Sequence, residues 1–573
     1  MPTHNKQIAE QFQRLADLLE IQDANPFRVR AYRTAAQTIE SLPRDAQELL
    51  KGGEDLAELP GIGDDLAEKI SEIVNEGELP LLREVEQEMP PGLGEMMKLP
   101  GLGPKRVKAI HTELDIESMN QLRKAAEEHR IQALKGFGRK TEEKILREIR
   151  RHTDRRPRTK LVDAEPVARS LETYLSEVEG VKTVVVAGSF RRRKETVGDL
   201  DILITCTEES PVMDRFVGYE DVDEVVEKGH TRSTVILQSG LQVDLRVVPE
   251  ACYGAALYYF TGSKEHNIAV RKIAQKKHLK INEYGVFKGK DRIAGKTEEQ
   301  VFAQVGLSFV PPELRENRGE IEAAAQDKLP GLVERKDLRG NLHTHTNDTD
   351  GKSALTDIAE YAQRLGLEYL AITDHSKAVA MSKGLNEKRL RKQMALIDRV
   401  NRSLNGLRIL KGIEVDILED GSLDLEDDLL RELDVVIGSI HSGFGLSKKK
   451  QTERMIRAMD HTCLHILGHP TGRLIHERDP YPIDIERVID AALERGCFLE
   501  LNAQPDRLDL HDAHCKLAKD KGLKIAISAD AHVKTDLEFL QFGIDQARRG
   551  WLEADDVLNT RSWGELKKLL KRS

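Results

Sequence analysis

The chain is short of cysteine, of long apolar runs and of positive charge. Its five cysteines, Cys206, Cys252, Cys463, Cys497 and Cys515, form no Cys-x-x-Cys pair. An odd, scattered set argues against a disulfide framework and fits a reducing compartment. No stretch approaches the roughly 18 consecutive apolar residues that cross a bilayer, so no membrane association is expected. The opening MPTHNKQIAEQFQRL has no apolar segment, which predicts no secretory leader and a cytoplasmic protein. What is present is a globular balance: 573 residues, 32% charged and 39% apolar. At roughly 100–200 residues per domain, a chain of this length holds several domains with their own cores.

The net charge of −10 does not suggest a polyanion binder. Counting by segment reverses that. Residues 1–100 carry 10 Lys and Arg against 20 Asp and Glu, whereas residues 101–160 carry 17 against 9, a net of +8. Local field matters more than total charge for binding a polyanion.

An internal repeat runs through the same region. LPGIGDDLAEKI (59–70), LPGLGPKRVKAI (99–110) and LKGFGRKTEEKI (134–145) share a Gly-apolar-Gly turn followed by helical periodicity. Residues 1–155 are therefore expected to be all-α. The turns Gly61/Gly63, Gly101/Gly103 and Gly136/Gly138 match the helix-hairpin-helix pattern, in which backbone N–H groups at a helix start grip a DNA phosphate. Lys105, Arg106, Arg139 and Lys140 add cations to the second and third copies, while Asp64 and Asp65 flank the first. A plain helical corner that uses glycine for geometry is the alternative for any single copy.

From about residue 160 short β-branched runs take over: TVVVAGSF (183–190), DILITC (201–206), STVILQSG (233–240) and LQVDLRVV (241–248), the last two as a hairpin around Ser239-Gly240. Within GSFRRRKETVGDLDILIT, Gly188 and Ser189 follow a strand and open a helix, and Arg191, Arg192, Arg193 and Lys194 concentrate positive charge. Asp199 and Asp201 share a strand face because side chains alternate with period two, and Asp244 on the later hairpin can close a triangle. Three convergent carboxylates hold two Mg²⁺ ions.

These motifs, with YFTGSKEHNIAVRKIAQKKHLKINEYGVF (259–287), resemble the nucleotidyltransferase superfamily and, within it, the family X DNA polymerases that include DNA polymerase beta. The resemblance covers about residues 1–320. It implies Ser189 and Arg192, with Gly188, at the triphosphate, Tyr259, Phe260 and Gly262 beside the incoming sugar, and Asn267 and Arg271 at the minor groove. It also places Lys69 where the family carries a lyase lysine, with Arg28, Arg30, Tyr32 and Arg33 nearby; a helix-surface lysine is the alternative.

After a Pro-opened, charged stretch, seven apolar runs each precede helical sequence: GNLHTH, YLAITDH, RILKGIEV, DVVIGSIH, HILGHP, CFLELNA and IAISADAH. A βα unit repeated seven times predicts a parallel barrel with its chemistry at the strand C-termini. There stand His343, His345, Asp350, His375, Glu414, His441, His469, Asp530 and His532, an N/O donor set that favours Mn²⁺, Zn²⁺ or Fe. Arg473 is either a phosphate ligand or a capping or surface residue, and Asn502 a supporting group. This half resembles the PHP (polymerase and histidinol phosphatase) domain, which implies a trinuclear phosphoesterase centre.

The whole chain thus resembles the bacterial and archaeal family X polymerases. The expected fold class is multidomain, α+β and α/β, with a distorted (β/α)7 PHP barrel at the C-terminus. The expected division is 1–90 a lyase-like helical domain with the first hairpin, 91–158 a DNA-binding subdomain with the other two, 159–250 the palm, 251–318 a nucleotide-selecting subdomain, 319–337 a linker and 338–573 the PHP domain. The expected function is short-gap filling in DNA repair, using Mg²⁺ or Mn²⁺, with 3′→5′ exonuclease activity in the barrel, to which abasic-site endonuclease or 3′-phosphatase activity can be added. Expected partners are gapped or primer-template DNA and deoxynucleoside triphosphates, with the chain a monomer. The rivals are a DNA-end-binding phosphoesterase with a weak or relic polymerase site, a metabolite phosphatase, and a non-catalytic scaffold.

Overall fold

The computed structural model describes residues 3–22, 24–41, 46–51, 54–59, 61–87, 89–97, 99, 102–139, 141–146, 158–379 and 382–572. The chain divides into two compact units, Met1–Arg156 and Pro157–Ser573.

Every secondary-structure element among the described residues of the first unit is a helix. Phe12, Leu15, Tyr32 and Ile39 from the helices Thr3–Ile21 and Pro26–Ser41 share a core with Ile70 and Ile73 of Asp64–Glu76. A second core gathers Val107, Ile110, Leu122, Phe137 and Ile145 around the helix Pro104–Leu114. Helical spacing of these apolar residues is what commits the region to packed α-hairpins.

The second unit starts with a five-stranded sheet in the order Val181–Val186, Asp199–Cys206, Gln242–Val247, Arg232–Leu237, Val222–Lys228. Asp199–Cys206 lies inside the sheet, antiparallel to Val181–Val186 and parallel to Gln242–Val247. The hairpin read around Gly240 forms, with Gly240 at φ 82° and Arg232 opposite Arg246. The helix Leu161–Ser176 covers the sheet through Ala164, Ala168, Leu171 and Leu175.

Next come the helices Tyr253–Thr261, Lys264–Lys276 and Glu298–Val305 with a three-stranded antiparallel sheet, packed on Tyr258, Val270 and Phe302. Arg315 is fully buried here; it donates to Glu298 at 2.6 Å and lies 5.1 Å from the Phe302 ring centroid. The stretch 319–337, charged in sequence, has apolar anchors at both ends. Ile321 and Ala324 of the helix Glu320–Ala325 join the Phe302 core, and Val333 joins that of the barrel.

The barrel is a seven-stranded parallel sheet in sequence order: Gly340–Asn341, Tyr369–Ile372, Arg408–Asp416, Val435–Ser439, Ile466–Leu467, Phe498–Asn502 and Ile525–Ser528. The ends meet, because Thr344 bridges Ala531 in parallel and His345 N donates to Ala531 O at 2.8 Å. Strand alternation separates two cores. Leu370 and Ile372 face the surrounding helices, while Tyr369 and Ala371 join Leu566 and Leu570 of the last helix, Trp563–Leu570.

Glu298 accepts from both Arg191 and Arg315. Glu298→Ala should therefore leave Arg315 buried without its counter-charge and cost about 3–5 kcal/mol. A chemical denaturation midpoint followed in this subdomain reads it. An unchanged midpoint would mean that Arg315 finds another carboxylate.

Candidate active sites

Asp201 is register partner to Asp244 on the neighbouring strand, and Asp199 to Gln242, so the three carboxylates gather at one end of the sheet. Asp244 accepts from Thr234 Oγ1, from Gln242 Nε2 at 2.7 Å and from Arg232 at 3.4 Å. Burial first, then the charges of Asp199 and Asp244, push Asp201 up to about 7. Such mutual repulsion is what a divalent cation relieves, and an all-oxygen set suits Mg²⁺ or Mn²⁺. Gly188, at φ 63°, lies so close that a Cβ there would meet Asp201 Oδ2 at 2.6 Å.

A cavity of about 680 Å³ opens on Asp199 and Asp201. Its lining includes every nucleotide-binding residue expected from the sequence: Gly188, Ser189, Arg192, Tyr259, Phe260, Gly262, Asn267 and Arg271. Tyr259 and Phe260 end the helix Tyr253–Thr261; Asn267 Nδ2 donates to Tyr259 O at 2.8 Å and Arg271 Nε to Asn267 O at 3.2 Å.

The arginine run is not a block of free charge, which corrects the reading of dense positive charge in that loop. Arg191 donates to both oxygens of Glu298, and Arg193 to Asp545 at 2.7 Å and Glu165 at 3.1 Å. Arg192, which lines the cavity, donates to Glu316 at 3.0 Å and to Thr261 O.

In the helical unit, Gly61 and Gly136 take left-handed φ values of 78° and 88°. Gly63 and Gly103 cap the helices Asp64–Glu76 and Pro104–Leu114 without a side-chain hydrogen bond, and Gly138 O accepts from Thr141 and Glu142 at a third helix start. Lys105, Arg106 and Arg139 are exposed, Arg139 pairing with Glu143 at 2.9 Å. Gly101 and Lys140 lie outside the described residues. Lys69 lines a cleft with Arg28 and Tyr32, and its Nζ donates to the Asp65 carboxylate. That carboxylate pairs with the amine for which the sequence left a lyase role and a helix-surface role both open.

At the barrel mouth all nine expected ligands converge. His343 and His345 follow the first strand, Asp350 lies further along the same loop, Glu414 lies on the third strand, and the others sit just past strand ends. Ligand atoms form three overlapping groups: His345, Asp350, His375 and His532; His343, His345 and Asp530; His375, Glu414 and His441. His345 and His375 are each shared between two groups. His469 Nε2 stands 3.0 Å from Glu414 Oε1 outside those groups. His343 Nε2, His345 Nδ1 and Asp350 Oδ1 are buried with no hydrogen-bond partner, which is the arrangement a cation would complete. Burial opposes charge on His375, yet Glu414 and Asp350 raise it to about 10; burial opposes His532 too, yet Asp350 and Asp530 raise it to about 9. Imidazoles ligate as neutral groups, so cation binding here releases protons.

Supporting residues went unread in the sequence. Glu500 accepts from His343 Nδ1 at 2.7 Å and from His469 N at 2.6 Å, and Asp416 pairs with His441 Nδ1 at 3.1 Å. Both lie two residues from a site residue on the same strand, Asn502 and Glu414. Period two within LELN and IEVD was the available signal. Asn502 does support the site, donating to Asp530 Oδ2 at 2.9 Å. Arg473 is spoken for: it donates to both oxygens of Glu195 and to Leu508 O.

Family models match a helix-hairpin-helix domain at 3–79, a SAM-like helix-hairpin-helix tandem at 93–151, the DNA polymerase beta palm at 155–251, the DNA polymerase beta thumb at 256–316 and the PHP domain at 341–504. The DNA polymerase/3′-5′ exonuclease PolX of Bacillus subtilis is 37% identical over 574 residues, 100% of each chain. The chain belongs to the PolX family of DNA polymerases. Its barrel half also resembles a probable phosphatase of Thermoanaerobacter sp., 34% identical over 40% of this chain and 94% of that one. A probable phosphatase of Acetivibrio thermocellus is 31% identical over 34% and 80%. As in other palm and PHP members, the two sites depend on divalent metal. No described helix is long and apolar enough to cross a membrane.

His345 belongs to two of the ligand groups and His469 to none. His345→Ala should therefore strip more metal from the dialysed full-length protein than His469→Ala, by elemental analysis. Equal retention in both would refute the shared-ligand arrangement.

Proposed function

We propose that this chain fills short gaps in DNA during repair and trims 3′ ends in a second, separate site. The observation that carries the reading is that Asp199 and Asp201, with Asp244 beside Asp201 on the next strand, stand at a cavity lined by all the expected nucleotide residues, within a full-length match to a polymerase and exonuclease.

Asp199, Asp201 and Asp244 would hold Mg²⁺ or Mn²⁺, whose chemistry is activation of a primer 3′-hydroxyl and neutralisation of departing pyrophosphate. Ser189 and the N–H groups of the Gly188 turn receive the triphosphate, with Arg192 beside them. Tyr259, Phe260 and Gly262 form the wall that the sugar meets, and Asn267 and Arg271 reach toward the minor groove. Substrates are gapped or primer-template DNA and deoxynucleoside triphosphates. The second and third hairpins supply sequence-independent phosphate contacts through Gly101, Gly103, Lys105, Arg106, Gly136, Gly138, Arg139 and Lys140.

In the barrel, the grouped ligands, with His469 against Glu414, would hold Mn²⁺, Zn²⁺ or Fe, which supply a hydroxide nucleophile at neutral pH and charge for the phosphoryl group. Glu500 and Asp416 orient His343 and His441, fixing which ring nitrogen faces the site. The reaction is 3′→5′ hydrolysis; abasic-site cleavage and 3′-phosphate removal use the same chemistry on other ends. A metabolite phosphatase fits the barrel's likeness to probable phosphatases, but it leaves the hairpins and the aspartate site without a use.

Asp244→Ala should lower extension of a gapped primer by about 10³-fold or more while shortening continues; Asp530→Ala should do the reverse. One gel assay with Mn²⁺, with and without nucleotides, reads both. Parallel loss of both activities in either folded variant would refute separate sites.

Neutralising Lys105, Arg106, Arg139 and Lys140 should weaken DNA binding whatever the base sequence. Each lost phosphate contact flattens log K against log salt by roughly 0.7–0.9. A wild-type slope in a salt titration of that variant would make the hairpins structural corners.

A further inference from the structure

The cavity at the aspartate site has a wall from the barrel. Asp512, Gln546 and Arg549 line it together with Arg192, Asp199 and Asp201. Arg549 ends the helix Leu540–Arg549, and its side chain is 3% exposed. Its guanidinium serves three acceptors. One nitrogen donates to the main-chain oxygen of Arg192 at 2.8 Å and to Glu316 Oε1 at 3.1 Å; the other donates to Asp512 Oδ2 at 2.6 Å. Glu316 Oε1 accepts in turn from Arg192 Nε at 3.0 Å. A single barrel side chain thus holds both the backbone of Arg192 and the carboxylate that aims its side chain.

We infer that Arg549 is a positioning residue for the polymerase reaction, through which the PHP domain sets the affinity for the nucleotide triphosphate. The inference rests on the reading of Arg192 as a triphosphate ligand. The physical ground is charge sharing. Glu316 is a largely buried carboxylate between two arginines. Burial would raise its carboxyl, but Arg549 first and Arg192 second hold it below the usual carboxylate range. Without Arg549, Glu316 keeps Arg192 as its main hydrogen-bonded counter-charge and draws that guanidinium into a full ion pair. The anchor on the Arg192 main chain goes with it. Arg192 then meets a phosphate only by leaving a largely buried carboxylate with Lys194 as its remaining counter-charge, an expensive exchange. Lysine cannot replace the fork, because a point-charge ammonium lacks the planar spread of donors that reaches three acceptors.

Four full-length variants test this by steady-state extension on gapped DNA: Arg192→Ala, Arg549→Met, Glu316→Gln and the double Arg549→Met/Glu316→Gln. Arg549→Met should raise the nucleotide KM about 10-fold, the scale of one charge-assisted hydrogen bond, with a much smaller change in kcat. Its 3′→5′ shortening and metal content should match wild type, which checks that the barrel is intact. The double variant should return KM toward wild type, because the charge that captures Arg192 has gone; a purely structural role for Arg549 would show no such recovery. Arg192→Ala separates the two layers. If it leaves KM unchanged, Arg192 is no triphosphate ligand and the inference falls with that reading. If it raises KM while Arg549→Met does not, or if the double variant stays as impaired as Arg549→Met, the clamp alone is overturned.

Discussion

The barrel mouth is organised by one buried carboxylate. Glu414 is 1% exposed and meets the imidazoles of His343, His345, His375, His441 and His469 at 3.5, 3.6, 2.9, 3.3 and 3.0 Å. A buried carboxylate is tolerated only with such compensation. Those histidines come from different strand ends, so the compensation exists only when the sheet is closed and in register. A slip of one residue in Arg408–Asp416 would turn Glu414 and Asp416 outward together and leave the histidines crowded without their counter-charge. The seven-strand order and the site therefore specify each other.

This explains what could be read from the sequence. A strand-end His or Asp after an apolar run is a local signal, and His343, His375, His441, His469 and Asp530 announced themselves that way. The aspartate pair on one strand was equally local, since period two decides its face. The partners that hold these groups were harder. Glu500 reaches His343 across 157 positions of sequence, and nothing near either residue marks the pairing. The arginine run shows the opposite failure. Read locally, RRRK is accumulated charge; in the fold, Arg191 and Arg193 are matched by carboxylates 107 and 352 positions away. Arg473 was ambiguous for the same reason, since Glu195 lies 278 positions back.

The consecutive arginines also join the parts of the second unit. Gly188–Arg191 is a short helix, and successive helical side chains diverge by about 100°. Arg191 accordingly points to Glu298 of the thumb, and Arg192 lines the cavity. Arg193, with the backbone turned to φ 53°, points to Asp545 of the barrel. A single turn of chain at Gly188 and Ser189 is thus fastened in two directions while its middle residue faces the cavity.

An apolar seam would hold the palm against the barrel with tolerance for sliding, because hydrophobic contact is non-directional. Phe542 of the barrel does pack on the palm core, but the contacts that fix placement are directional: Arg473 on Glu195 and Arg193 on Asp545 at the palm, Arg549 on Glu316 and Arg548 on Glu313 at the thumb. Each pair is satisfied in one relative placement, and breaking one takes from a largely buried charge part of its compensation. Such a seam contributes less to stability than to placement. Placement is what a site needs when its cavity wall comes from two domains that carry different chemistries.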